Sequence, residues 1–150
     1  MNLKNILLRK GYTRLKLKKI STNHFELKAT LNGVKGRFIL DTGASNSCVD
    51  INLVEKFKLE VKDSETKAAG AGAIGMETKI SSKNKLKIKK WKYNNCQIVL
   101  FDLAHVNTAL VEHNASAVDG IIGADILEKG EAIIDYKKQR LYLKNLVYKH

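Results

Sequence analysis

Phe38-Ile39-Leu40-Asp41-Thr42-Gly43-Ala44-Ser45 is the stretch on which the reading of this 150-residue chain turns. Three apolar residues run into a carboxylate, a hydroxyl and a glycine, and there the apolar pattern stops. A buried strand should therefore open into a tight loop at Asp41. An ionised carboxylate in such a place costs several kcal/mol unless something pairs with it. Asp41 either meets a partner or keeps its proton, and both outcomes are chemistry.

Upstream, His24 to Leu31 and Val34 to Leu40 flank Asn32-Gly33. Asn-Gly accepts the positive φ angles of a type I′ turn, so the two runs read as a hairpin whose second arm delivers Asp41. Before it, Tyr12 to Ile20 alternates as a strand, and Asn2 to Lys10 has helical spacing with Gly11 as a stop. Downstream, Asp50 is placed to cap a short helix over Ile51 to Phe57, followed by a strand from Val61 to Thr66. Ala68 to Gly75 is small-sided and glycine-rich between two strand-like segments, which is the composition of a hairpin tip.

Lys83 to Ile88 and Cys96 to Leu103 continue the strands, with Asn94-Asn95 available for the turn between them; Ala104 to Ala117 reads as a loop carrying His105 and His113. Val118-Asp119-Gly120-Ile121-Ile122-Gly123 is a short apolar strand ending at a glycine. One or two helical turns over Ala124 to Lys129 follow, stopped by Gly130, and a last hairpin joins Ala132–Tyr136 to Arg140–Lys144. The strand count makes this a mostly β domain with one or two short helices. The expected division is a basic N-terminal arm or extra strand over 1–20, one domain over 21–145 and a tail over 146–150.

Composition narrows the function classes. A chain of 150 residues at 44% hydrophobic can bury a core without staples, so global disorder is not expected. Cys48 and Cys96 lack any paired or His-flanked spacing, which argues for two reduced thiols and against a zinc site or disulfide framework. A metal site at His105 and His113 would need a third ligand, and no cofactor is implied. No apolar run is long enough for a signal peptide or membrane helix, so a cytoplasmic location is expected. The net charge of +12 is compatible with nucleic acid, an anionic membrane surface, acidic substrates or solubility alone. Lysines concentrate in the first twenty residues, in Lys79 to Lys92 and near the C-terminus, and a solvated face is the plainest reading of Lys85-Leu86-Lys87-Ile88-Lys89.

The combination of these elements resembles the retropepsin-like aspartic proteases. Residues 38–45 look like that family's catalytic loop, Ile121-Ile122-Gly123 like the element packed behind it, and Gly72-Ala73-Ile74-Gly75 like the tip of a retroviral-type flap. Asp-Thr-Gly alone is a weak signal, but the order and spacing of all three match a single-lobe member over about His24 to Leu143. Asp119 to Leu127 and Ile134-Asp135-Tyr136 are closer to bacterial and retroelement relatives than to viral enzymes. The resemblance implies a closed, barrel-like single lobe with a flap hairpin.

It also implies an activity: an endopeptidase that hydrolyses polypeptides with water activated by two aspartates. The chain has one Asp-Thr-Gly, so the second aspartate would be Asp41 of another copy across a two-fold axis. By the same resemblance Thr42 would donate its hydroxyl across the dimer, Gly43 would let the backbones approach, and Ser45 would bond the outer carboxylate oxygen or substrate. Ala73, Ile74, Gly75 and Ile122 would contact substrate, and Ile39, Ile74, Val118 and Ile122 are candidate pocket walls. Asn46 stands where retroviral enzymes place an acidic residue that holds substrate backbone. Two other readings compete: a peptide-binding module on the same fold, which would show one ordinary aspartate titration instead of a coupled pair, and a basic adaptor for nucleic acid or an anionic membrane. Residues 1 to 20 read equally as a pro-segment, a dimer-forming strand or an unrelated arm.

Overall fold

The computed structural model describes residues 2–63 and 78–147. A first helix, α1 (Leu3–Arg9), begins where Asn2 accepts the Asn5 backbone N–H at 2.9 Å, and it buries Leu7. The chain then runs through β1 (Tyr12–Lys16), β2 (Lys18–Lys19), β3 (Phe25–Leu31), β4 (Val34–Leu40), β5 (Cys48–Asp50) and a 3-10 turn at Ile51–Leu53. It continues through β6 (Lys62–Asp63), β7 (Lys79–Ile88), β8 (Trp91–Phe101), α2 (Ala104–Glu112), β9 (Gly120–Ile122), α3 (Ala124–Lys129), β10 (Ile133–Asp135) and β11 (Arg140–Lys144).

Six of these strands close on themselves. β4 pairs with β3 and β9, β9 with β5, β5 with β8, β8 with β7, and Thr30–Leu31 of β3 return to Leu86–Lys87 of β7. The result is a six-stranded barrel with β2 and β6 on its margins and a separate three-stranded sheet, β1-β11-β10. The expected β3–β4 hairpin forms, with φ of +50° at Asn32 and +84° at Gly33. Asn32 does more than turn the chain: its side chain donates to the Phe57 carbonyl at 2.8 Å and accepts from the Lys85 N–H at 2.9 Å, tying the hairpin to β7.

Strict alternation divides the buried residues between two clusters. Phe38, Leu40, Ile98, Leu100 and Ile122 pack inside the barrel. Their neighbours Ile39, Val99, Phe101 and Ile121 point to the other face, where Leu103, Leu110 and Val118 cover them. Strands buried on both sides need continuous apolar runs, which explains why Phe38-Ile39-Leu40 shows no alternation in the sequence.

Several local expectations are corrected. Ala104 to Ala117 is not all loop, because α2 forms there and supplies Leu110 to the second cluster. Asp102 accepts the Ala104 N–H at 2.8 Å at its start, and Asn107 pairs with both backbone groups of Val118, at 2.8 and 3.1 Å. The turn expected at Asn94-Asn95 lies instead at Lys89-Lys90, since Ile88 pairs with Trp91 and Lys89 takes a φ of +53°. Ile51 to Phe57 forms only a 3-10 turn followed by irregular turns, with Asp50 capping the Asn52 N–H as expected. Tyr12 to Ile20 is broken at the buried Leu17, whose N–H bonds the Gln139 carbonyl as the chain leaves the small sheet for the barrel. The helix over Ala124 to Lys129, its stop at Gly130 and the final hairpin form as expected. No helix among the described residues is long and apolar enough to cross a membrane.

Candidate active site

Asp41 is the first residue beyond β4. Parallel pairing sets Leu40 opposite Ile122, and the Asp41 N–H then donates to the Ile122 carbonyl at 2.9 Å. The loop folds back on itself: the Ala44 N–H donates to the Asp41 carbonyl at 3.2 Å, and the Gly43 N–H donates to Asp41 Oδ1 at 2.9 Å. Asp41 Oδ2 makes no hydrogen bond or ion pair with any described residue. One carboxylate oxygen is thus fixed by the backbone, and the other has no partner among the described residues.

Behind the loop lies a network that the sequence did not announce. Ser47 is fully buried; its hydroxyl donates to Asp125 Oδ1 at 2.6 Å and accepts the Gly123 N–H at 2.8 Å. The same Asp125 oxygen accepts the Ser47 N–H and the Ile126 N–H, each at 2.9 Å, and the Ala124 N–H donates to the Ala44 carbonyl at 2.7 Å. The start of α3 is therefore latched to the Asp41 loop. Close approach demands glycine here: a Cβ on Gly123 would stand 2.6 Å from the Ala44 carbonyl oxygen, and one on Gly120 would strike the Cys48 carbonyl.

A groove of about 920 Å³ opens beside Asp41. Ile39 and Ile121 form its barrel side, Val106 and Leu110 of α2 form the facing wall, and His24 stands at its edge, bonded to Thr22 at 2.8 Å. The wall assigned to Ile122 is corrected to Ile121. A period of two sends Ile122 into the barrel interior and its neighbour to the groove. Val118 is likewise buried in the second cluster, not on the groove surface.

Thr42 and Gly43 are exposed on the loop, and Thr42 borders a shallow hollow with Leu127, Ala132 and Ile134. Ser45 is exposed and bonds no described residue. Ala73, Ile74 and Gly75, the expected flap contacts, lie outside the described residues, between β6 and β7 in sequence. The α2 wall and the Ser47–Asp125 latch are the parts that reading the sequence missed. Asp125 was visible as part of a motif, whereas nothing marks Ser47 as its partner.

Cys48 and Cys96 are free and buried. Burial, reinforced by Asp125, Asp41 and Asp50, pushes the Cys48 thiol up to about 12; burial, reinforced by Asp125, does the same for Cys96. Neither is a thiolate nucleophile at neutral pH. Among the described residues no cluster of three or more His, Cys, Asp or Glu side chains is positioned to hold a metal ion, and His105 and His113 stand on the groove without one.

Comparison with known proteins agrees with this geometry. A family model described as aspartyl protease matches residues 27–126. No curated protein matches the sequence significantly. Among solved structures, a retropepsin-like aspartic protease from Rickettsia conorii superposes with a TM-score of 0.60 at 20% identity, covering 91% of this chain and 94% of that one. The retroviral protease-like domain of Ddi1 from Leishmania major gives 0.54 at 19% identity, covering 81% of this chain and 88% of that one. The EIAV protease, solved with the inhibitor HBY-793, gives 0.53 at 20% identity over 73% of this chain and 90% of that one. The mostly β architecture, a six-stranded closed barrel with few short helices, matches these retropepsin-like folds.

Proposed function

The chain belongs to the aspartyl protease family, and from that premise we propose that it is an endopeptidase whose catalytic pair is Asp41 of one protomer and Asp41 of a second copy. The observation that carries this reading is the carboxylate itself. The Gly43 N–H holds Oδ1, Oδ2 has no partner among the described residues, and the group opens on a groove. A lone carboxylate cannot both take a proton from water and give one to a carbonyl oxygen in the same step. Two held close together share one proton and do both.

In that pair the ionised aspartate removes a proton from water as its oxygen attacks the peptide carbonyl carbon, and the protonated aspartate gives its proton to the carbonyl oxygen. The tetrahedral species then collapses: the carbon–nitrogen bond breaks, the aspartate that took the water proton passes it to the leaving amine, and a hydroxyl on the tetrahedral carbon returns its proton to the other aspartate, so that the dyad again holds one. Gly43 fixes Asp41 Oδ1 through its N–H. Ile39, Ile121 and the α2 wall would hold an apolar substrate side chain. The face carrying Thr42, Leu127, Ala132 and Ile134 is where a second copy would dock, since it adjoins the catalytic loop and ends at the open edge of β10. Thr42 would there bond the partner loop, and Ser45 would meet substrate or the outer carboxylate oxygen.

Sedimentation velocity combined with cleavage of an unfolded protein substrate tests the proposal. The expected result is a dimer, at least transient, whose Asp41→Asn variant still assembles but loses cleavage by about 10²-fold to 10⁴-fold. Unaltered cleavage by that variant removes Asp41 as the catalyst. A dimer that binds extended peptide without cutting it would identify a binding module on the same fold.

A further inference from the structure

The lysines that the sequence scatters along three strands are gathered by the barrel into one cleft. Because β3 pairs with both β4 and β7, Lys28 lies opposite Arg37, Thr30 lies opposite Lys35 on one side and Lys87 on the other, and all these side chains face outward. Lys56 and Lys89 complete a hollow of about 630 Å³ that shares no lining residue with the groove at Asp41. A second hollow, carrying Lys16 and Lys18, adjoins it through Lys28 and Lys89 and extends the basic track.

The acids present are already engaged. Glu26 holds Arg37 Nε at 2.9 Å, and Asp119 accepts the Arg37 N–H at 2.9 Å and Lys56 Nζ at 3.2 Å. Among the described residues Lys28, Lys35, Lys87 and Lys89 have no acidic partner. Like charges directly opposite on a sheet cost stability, as do uncompensated charges crowded into a concavity. An anion in the cleft would remove that cost.

We propose that this cleft binds the phosphate backbone of a nucleic acid, without reading its sequence. Lysine ammonium groups are compact point charges that donate to phosphate oxygens from many directions. The arginine fork would serve carboxylate and phosphate alike, but the one arginine here is committed to Glu26, which leaves the lysines. Among the described residues neither hollow presents an aromatic side chain, so bases would not be stacked or selected. A bilayer surface fits poorly, because the site is concave and, among the described residues, the exposed large apolar ones, Leu3, Leu8, Val61, Val111, Tyr136 and Val147, lie outside it. The reading is independent of the proteolytic one, since no residue is shared with the Asp41 groove.

The test is fluorescence anisotropy of labelled random-sequence duplex and single strand, at 50 and 200 mM salt, with the full chain. About four phosphate contacts predict a loss of affinity of roughly 100-fold over that range for duplex. The variant Lys28→Glu/Lys35→Glu/Lys87→Glu should bind at least about 10-fold more weakly and with a smaller salt slope. Lys10→Glu/Lys137→Glu/Lys138→Glu, which changes the net charge equally at exposed positions elsewhere, should bind nearly as the natural chain does. Circular dichroism and a urea midpoint show that both variants are folded. The proposal is overturned if the cleft variant binds as tightly as the natural chain, or if the control loses as much. It is also overturned if poly-glutamate or phosphatidylglycerol vesicles are bound at a salt concentration where the oligonucleotides are not.

Discussion

The hydroxyl of Ser47 lies 2.6 Å from Asp125 Oδ1, and the backbone N–H of the same serine reaches the same oxygen at 2.9 Å. Through that pair of hydrogen bonds the loop following Asp41 is fastened to the first turn of α3, although the partners are 78 positions apart. A half-buried carboxylate that accepts several donors holds them better than a neutral group would, and its removal leaves those donors without that partner. Asp125→Ala should therefore cost about 2–4 kcal/mol, and Ser47→Ala about 1–3 kcal/mol. The double variant should cost less than the sum, because the two side chains share one bond. Urea unfolding of the four proteins checks all three values.

The glycines behind the loop separate a packing requirement from a catalytic one. Gly123→Ala would force a methyl against the Ala44 carbonyl, and Gly120→Ala would force one against the Cys48 carbonyl. Both contacts are with backbone that cannot swing aside, so each change should destabilise by about 3 kcal/mol or more. Gly43→Ala meets only Asp41 Oδ1, at 3.3 Å. It should leave the unfolding midpoint nearly unchanged while lowering peptide cleavage, a split visible when urea melts are set beside turnover.

If Thr42 bonds the partner loop, its loss acts on assembly before it acts on chemistry. Thr42→Ala should raise the dimer dissociation constant by about 10-fold, equivalent to about 1.4 kcal/mol. Cleavage lost at low protein concentration should return as the concentration is raised. An activity deficit that persists at every concentration in fully dimeric protein would assign Thr42 a different role.

In the proposed pair the two aspartates share one proton, and the rate of cleavage should then rise and fall again with pH. A plateau bounded by a single ionisation would count against the dyad.

The two buried thiols give the fold a signature at high pH. In the unfolded chain they ionise near their ordinary value of 9.0, whereas in the native protein they hold their protons to about 12. Between those limits the unfolded state binds fewer protons, so stability falls as pH rises, by up to about 1.4 kcal/mol per pH unit for each thiol. Below pH 9.0 the contribution is fully present. Thermal melts from pH 8 to 11, compared with Cys48→Ala/Cys96→Ala, isolate this slope from that of the lysines and tyrosines. The native thiols should also react slowly with a disulfide reagent at neutral pH.

The sequence by itself determined the hairpin at Asn32-Gly33, the approach strand to Asp41, the glycine-ended strand at Ile121-Ile122-Gly123 and the short helix after it. Each is encoded by neighbours within a few residues: a turn pair, an apolar run, a stop. Tertiary structure decided what those signals share between distant segments. Only pairing of β4 with β9 shows that Ile121, and not Ile122, faces the groove, because a shift of one residue exchanges the two faces of a strand. Only packing makes Ala104–Glu112 a helix, since its weak apolar periodicity becomes decisive once Leu110 covers the outer face of β8 and β9. The Ser47–Asp125 bond and the lysine cleft are set by barrel closure in the same way. Local propensity selects conformations residue by residue, whereas buried hydrogen bonds and clustered charge depend on which residues the finished sheet brings within a few ångströms.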